Sequence, residues 1–243
     1  MKLFGFFAVS SAFANQELYE MFDNSQIAES ARTGTNNVNQ FTMFYAQMAN
    51  MPNFLDFAAQ EWNYGCWGQI DGVEARPGHG EAIDVIDQLF QDWVKCKECM
   101  SMDFTDSCDI DNVAYEVGMD PATGRIECSG NSGCPKARCD CDETLAFGII
   151  ENWDSYNPEN EPQNGFDFDA SCQPHPKTPT SGGAGGSCTN VGDNTRRCCG
   201  EYPKRFPYDD KAGCFLCCDS AGKIFNINRH GCCGDVLGTV GCV

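Results

Sequence analysis

Eighteen cysteines in a chain of 243 residues limit the fold more than any other feature, and they fall evenly, nine from Cys66 to Cys172 and nine from Cys188 to Cys242. Thiols at this density persist as crosslinks where the surroundings are oxidising. Structural zinc is the competing use, but two Cys-x-x-Cys pairs close together in sequence are absent and the chain has only three His. The pattern reads as a disulfide framework.

The same compartment is implied by the first residues. Met1-Lys2 precedes an almost wholly apolar run from Leu3 to Val9, and Ala12-Phe13-Ala14 supplies a small-x-small cleavage site. Residues 1–14 are therefore expected to be a secretory signal peptide, with a mature chain from Asn15. No other stretch approaches the ~18 apolar residues that span a bilayer, so the protein is expected to be secreted and extracellular, without a transmembrane segment. There is no Asn-x-Ser/Thr sequon and no N-glycosylation is expected. The net charge of −19 is uneven: residues 1–187 hold 9 Lys and Arg against 29 Asp and Glu, and residues 188–243 hold 7 against 6. Such an acidic body repels nucleic acid and anionic lipid, and favours cations and basic partners.

The organising stretch runs from Tyr64-Gly65-Cys66-Trp67-Gly68, through a Gly-rich loop to Gly80, into Asp84 to Cys99. Ile83, Ile86, Leu89, Phe90, Trp93 and Val94 recur at steps of three and four, which predicts a buried helix. Upstream, residues 15–38 are polar and form an arm; from Asn39, Phe41, Phe44, Tyr45 and Met48 share a helical face that ends at Met51-Pro52, before a second short helix from Phe54. Downstream, Asp103, Asp106, Asp109 and Asp111 lack the Gly and the closing Glu of an EF-hand and read as a solvated acidic loop. Residues 173–187, rich in Pro and then Gly, form a linker to a Cys-rich module over 188–243. That module repeats a di-cysteine, at Cys198-Cys199, Cys217-Cys218 and Cys232-Cys233, each followed by a turn, and is too small to hold together without bridges. Arg196-Arg197 and Lys204-Arg205 give it a basic edge, expected to be a solvated surface.

The layout of residues 39–172 resembles the secreted phospholipase A2 family, in which a Tyr-Gly-Cys calcium loop precedes a helix with two adjacent Cys and a catalytic His-Asp pair. Matching Asp84, Asp87 and Cys96 to the family pattern puts Trp93 at the catalytic His and Val94 at the calcium-binding Asp. The losses are paired: the family's other loop and helix cysteines correspond to Gly68, Phe90, Leu89 and Gly148. The segment Cys128, Cys134, Cys139, Cys141-Asp142 is similar to the family's β-hairpin and second long helix. The resemblance implies a mainly α, disulfide-rich fold with two antiparallel helices and a β-hairpin, plus a small β or irregular Cys-rich module. It further implies Cys96–Cys141, Cys108–Cys134 and Cys128–Cys139, with Cys66 reaching Cys172 and Cys99 left to compete for Cys172 or reach the tail. Asp142 matches the family's His-orienting Asp, and is either buried with other donors or an exposed helix-start carboxylate. Phe41, Phe44, Met48 and Trp93 would line the lipid channel. The tail is similar to the galaxin-type repeats of extracellular matrix proteins.

The expected function is a catalytically inactive, phospholipase A2-like scaffold that binds an extracellular protein or matrix partner, or a hydrophobic ligand, and not nucleic acid. No cofactor is expected beyond weak calcium binding. The alternatives are an active calcium-dependent phospholipase A2, with His79 of Pro77-Gly78-His79-Gly80 as the replacement base, and a carrier of hydrophobic ligands.

Overall fold

The computed structural model describes residues 63–68, 78–105, 108–110, 113–119, 126–173, 195–210, 215–218, 222–227, 230–233 and 236–239. The signal peptide, the arm, Phe41, Phe44 and Met48 lie outside the described residues, as do residues 69–77 of the Gly-rich loop. The chain divides into two compact units, one comprising Met1–Trp62 and Asp106–Trp153 and the other Asn63–Thr105 and Asp154–Val243. Among the described residues there are two long helices and several short antiparallel hairpins, so the mainly α expectation holds only in part.

In the second unit, α1 spans Val85–Phe104. Asp84 caps it by accepting the Asp87 N–H at 2.9 Å, and Asp87 adds a carboxylate to the first turn. The buried face runs Ile86, Phe90, Trp93, Cys96 and Met100 at steps of three and four. The sequence reading of this face needs correcting at its edges: Ile83 precedes the helix and is 37 % exposed, while Leu89 and Val94 are half-buried. The helix also continues past Cys99 to Phe104, which places Asp103 on α1 and not in a solvated loop. Beyond residue 153, three single-turn 3-10 segments, Trp153–Ser155, Pro158–Asn160 and Pro162–Asn164, lead to the short α3, Phe168–Ser171. The Cys66–Cys172 bridge closes this end, packed with Phe168, Trp67 and Phe166.

In the first unit, a minimal hairpin pairs β1, Gly118–Met119, with β2, Ile126–Glu127. Helix α2 follows over Gly133–Glu151, burying Cys134, Ala137, Cys139, Leu145, Ala146 and Ile149. Bridges Cys108–Cys134 and Cys128–Cys139 pin its first turns to the preceding segment.

The tail forms three two-stranded hairpins: β3 (Thr195–Cys199) with β4 (Phe206–Asp210), β5 (Phe215–Cys218) with β6 (Lys223–Asn226), and β7 (His230–Cys233) with β8 (Val236–Thr239). Each di-cysteine lies on a first strand. Successive strand residues point to opposite faces, so a di-cysteine is a two-sided connector. Cys198 turns back to Cys99 of α1, Cys199 turns on to Cys217, and Cys218 turns on to Cys232. Cys99, left open by the sequence, therefore reaches into the tail. The hairpins are crosslinked in series, with α1 as the first member.

The basic edge is also not a solvated surface. Arg196 forms a two-point ion pair with Glu98 of α1 at 2.7 and 3.1 Å, and Arg205 does the same with Asp103 at 2.6 and 3.0 Å. Tyr202 donates to Asp103 at 2.7 Å and stacks on Phe104. Gly200, at φ +95°, is required in the turn between β3 and β4, because a Cβ there would meet the Lys204 carbonyl oxygen at 2.2 Å.

Phe90 is fully buried on α1. Replacing it with alanine is expected to destabilise the protein by about 3–5 kcal/mol, since the transfer energy of the ring is lost and a cavity remains. Chemical denaturation with the bridges intact measures this.

Candidate functional site

The turn Tyr64–Gly68 is fastened to the start of α1 by one carboxylate. Asp87, fully buried, accepts three backbone N–H bonds: from Cys66 at 3.0 Å, Trp67 at 2.7 Å and Ile83 at 3.1 Å. Gly65 makes the approach feasible, because its φ is +58° and a Cβ would lie 2.5 Å from Asp87 Cγ. Beside it, Tyr64 Oη donates to Asp84 Oδ2 at 2.5 Å, and Asn160 Nδ2 donates to the same oxygen at 2.8 Å. The Tyr64 oxygen also accepts from the Asn157 N–H at 3.2 Å. Burial raises the Tyr64 phenol well above its ordinary pKa, with the Asp84 bond adding to the effect. Burial likewise lifts the Asp87 carboxyl to about 6, against the opposing pull of its three N–H donors.

Trp93 and Val94 sit in the middle of α1. Trp93 is 7 % exposed, and the Lys97 ammonium lies 4.6 Å from the centre of its indole. Val94 is half-buried and its isopropyl group has no atom that ligates a metal. His79 is exposed, with its ring edge-on to Phe168 at 4.8 Å.

Asp142 lies well inside α2 and is 1 % exposed, which rules out the exposed helix-start role. Its carboxylate accepts from Tyr115 Oη at 2.8 Å and from Arg138 Nε at 2.9 Å. Arg138, 3 % exposed, spends its other end on the Ile110 carbonyl at 2.7 Å. The arginine, one turn before Asp142, was overlooked in the sequence, although the i,i+4 spacing marks it. Burial raises the Tyr115 phenol well above its usual value, and the Asp142 charge reinforces the shift.

Cys66 and Cys172, Cys108 and Cys134, and Cys128 and Cys139 are joined in the structure; Cys96 and Cys141 are each in a disulfide. Cys128, Asp140 and Glu143 come close enough together to hold a metal ion. The Cys128 sulfur is already bonded to Cys139, and Asp140 pairs with Lys136, so this set offers neither a thiolate nor an uncommitted pair of carboxylates.

Two outcomes are expected. Asp87→Asn removes at least one acceptor from three buried N–H donors and should cost roughly 1–3 kcal/mol of stability by denaturant titration. The folded Asp87 pKa lies above its unfolded value of 3.8, so the folded state holds the proton more tightly between about pH 4 and 6. The contribution of this group to stability therefore grows as pH falls through that window and is lost above it, and Asp87→Asn should remove that slope. Arg138→Met leaves Asp142 buried without its cation and should cost about 3–5 kcal/mol, read as a lower melting temperature.

No family model matches the chain. It is 32 % identical over 97 residues to the Group IID secretory phospholipase A2 of Mus musculus, an alignment that takes in 40 % of this chain and 60 % of that protein. The chain thus spans three fifths of the length of the curated relative it matches. This match, together with two bridged helices and the small hairpin, supports a phospholipase A2-like domain in the chain.

Proposed function

We propose that the protein is an extracellular, catalytically silent relative of the phospholipases A2, whose lipase-like part serves as a scaffold for a protein or matrix partner. The observation that carries this reading is the pair Trp93 and Val94 on α1. Phospholipase A2 chemistry asks for an imidazole to activate water and a carboxylate to hold calcium against the substrate phosphate. An indole has no basic nitrogen, and an isopropyl group has no ligand atom. The carboxylate that would orient an imidazole, Asp142, is neutralised by Arg138 inside a buried pair. Asp87, next to the turn, is fully committed to backbone donors. The residues described do not furnish the anionic ligand of a calcium site.

The extracellular address is supported by the bridges, since no cysteine is free among the described residues. Among those residues, no helix is long and apolar enough to cross a membrane. The acidic body favours basic or cation-rich partners.

Mixed micelles of phospholipid with millimolar calcium test the silent centre. The expected result is no turnover above background, with or without chelator. Robust hydrolysis abolished by chelator would overturn the reading. Incubation with decellularised matrix tests the scaffold role: retention that is released by raising the salt is expected.

A further inference from the structure

A cavity of about 430 Å³ opens where the tail meets α1, lined by Met102 and Asp103 of α1, Arg196, Arg197 and Cys198 of β3, Tyr208 of β4, and Leu216 and Cys217 of β5. It brings together members of two disulfides, Cys99–Cys198 and Cys199–Cys217, with two guanidinium groups. Its single carboxylate, Asp103, is held by Arg205 and Tyr202. Cys198 is half-buried, whereas its partner Cys99 is wholly buried. A nucleophile entering the cavity therefore meets the Cys198 sulfur first.

We propose that this cavity is a thiol–disulfide exchange site, at which a small thiol bearing a carboxylate opens the Cys99–Cys198 bridge and unlatches the hairpins from α1. The thiolate attacks Cys198 Sγ in line with the existing bond. A new sulfur–sulfur bond forms to Cys198, the Cys99–Cys198 bond breaks, and its electron pair leaves on Cys99 Sγ, which takes a proton from water. A second thiolate attacks the mixed disulfide, freeing Cys198 as a thiolate and releasing the small molecule as its own disulfide. Two thiols have then supplied the two electrons that reduce the bridge. Negative charge is spread over three sulfurs at the transition state, and the Arg196 and Arg197 guanidinium groups lining the cavity stabilise it there.

The series connectivity gives the step its consequence. Cys199–Cys217 and Cys218–Cys232 join the hairpins to one another, and Cys99–Cys198 joins the first of them to α1. Once that bridge opens, the hairpin rests on α1 through the stacking of Tyr202 on Phe104 and through the Arg196–Glu98 and Arg205–Asp103 pairs. These pairs are partly exposed and weaken with salt. The device thus has two requirements for release, a thiol and screening.

The test treats the folded full-length protein with mercaptoacetate or neutral 2-mercaptoethanol, quenches by alkylation, and maps the labelled cysteines by mass spectrometry. Cys99 and Cys198 should be labelled while Cys66–Cys172 stays closed, and mercaptoacetate should be favoured over 2-mercaptoethanol. Arg197→Gln should slow opening of Cys99–Cys198 by mercaptoacetate about threefold or more, with the rate at Cys218–Cys232 unchanged. In the doubly substituted Cys99→Ser, Cys198→Ser protein, hydrogen exchange over residues 195–210 should rise, and rise further in high salt. The proposal is overturned if Cys99–Cys198 stays closed under conditions that open Cys66–Cys172, if Arg197→Gln leaves its rate unchanged, or if the double variant exchanges like the parent. None of these readouts involves lipid hydrolysis, so their failure is distinct from failure of the silent-scaffold reading.

Discussion

The local structure around α1 depends on Asp87, a fully buried carboxylate held by three backbone N–H groups from two segments. A lone ion at that depth would cost several kcal/mol, and the N–H donors offset it only if the turn Tyr64–Gly68 is brought within 3 Å of the helix start. The carboxylate therefore determines the backbone of the turn as well as the first turn of α1. Gly65 follows from it, since no side chain fits between that backbone and the carboxyl group. Tyr64 follows too: its hydroxyl bridges the capping Asp84 to the Asn157–Asn160 segment, which the Cys66–Cys172 bridge keeps near.

Asp142 solves the same problem differently. A single hydroxyl and a guanidinium one turn away neutralise it inside α2. Buried pairs of this kind add little net stability but punish the loss of either member. They also make the carboxylate part of a neutral unit, which alters what it could do for a neighbouring group. In the function we propose, that neutral pair is structural.

Much of the site was legible because it is local. The Asp84, Asp87 and Cys96 spacings locate Trp93 and Val94 on one helix, and Cys128, Cys134 and Cys139 announce the crosslinked start of α2. What escaped the sequence was long-range. Glu98 and Arg196 are 98 residues apart, Asp103 and Arg205 are 102 apart, and no periodicity connects them. The acids looked like a solvated loop and the arginines like a solvated edge, each plausible alone; charge complementarity across the linker shows only when the partners are side by side. Asn160 was similarly silent, because its turn within a Pro-rich segment carries no pattern that points toward Tyr64. Arg138 is the exception: its i,i+4 relation to Asp142 was available, but the expected partner for that carboxylate was an imidazole.

Separating what holds the fold from what performs chemistry explains how a lipase-like frame could keep its shape with an indole and an isopropyl group at its centre. The capping pair Asp84 and Asp87 lies at the first turn of α1, and the bridge to the tail lies at Cys99, whereas Trp93 and Val94 occupy the turns between. None of the anchoring bonds passes through those two positions. Placing apolar side chains there removes polar atoms from a half-buried to buried stretch, which favours folding. Selection for stability alone would then retain the cysteines and Asp87 while leaving positions 93 and 94 to drift toward apolar residues. An active centre would resist that drift, since a buried His and Asp are kept only against a cost in folding free energy.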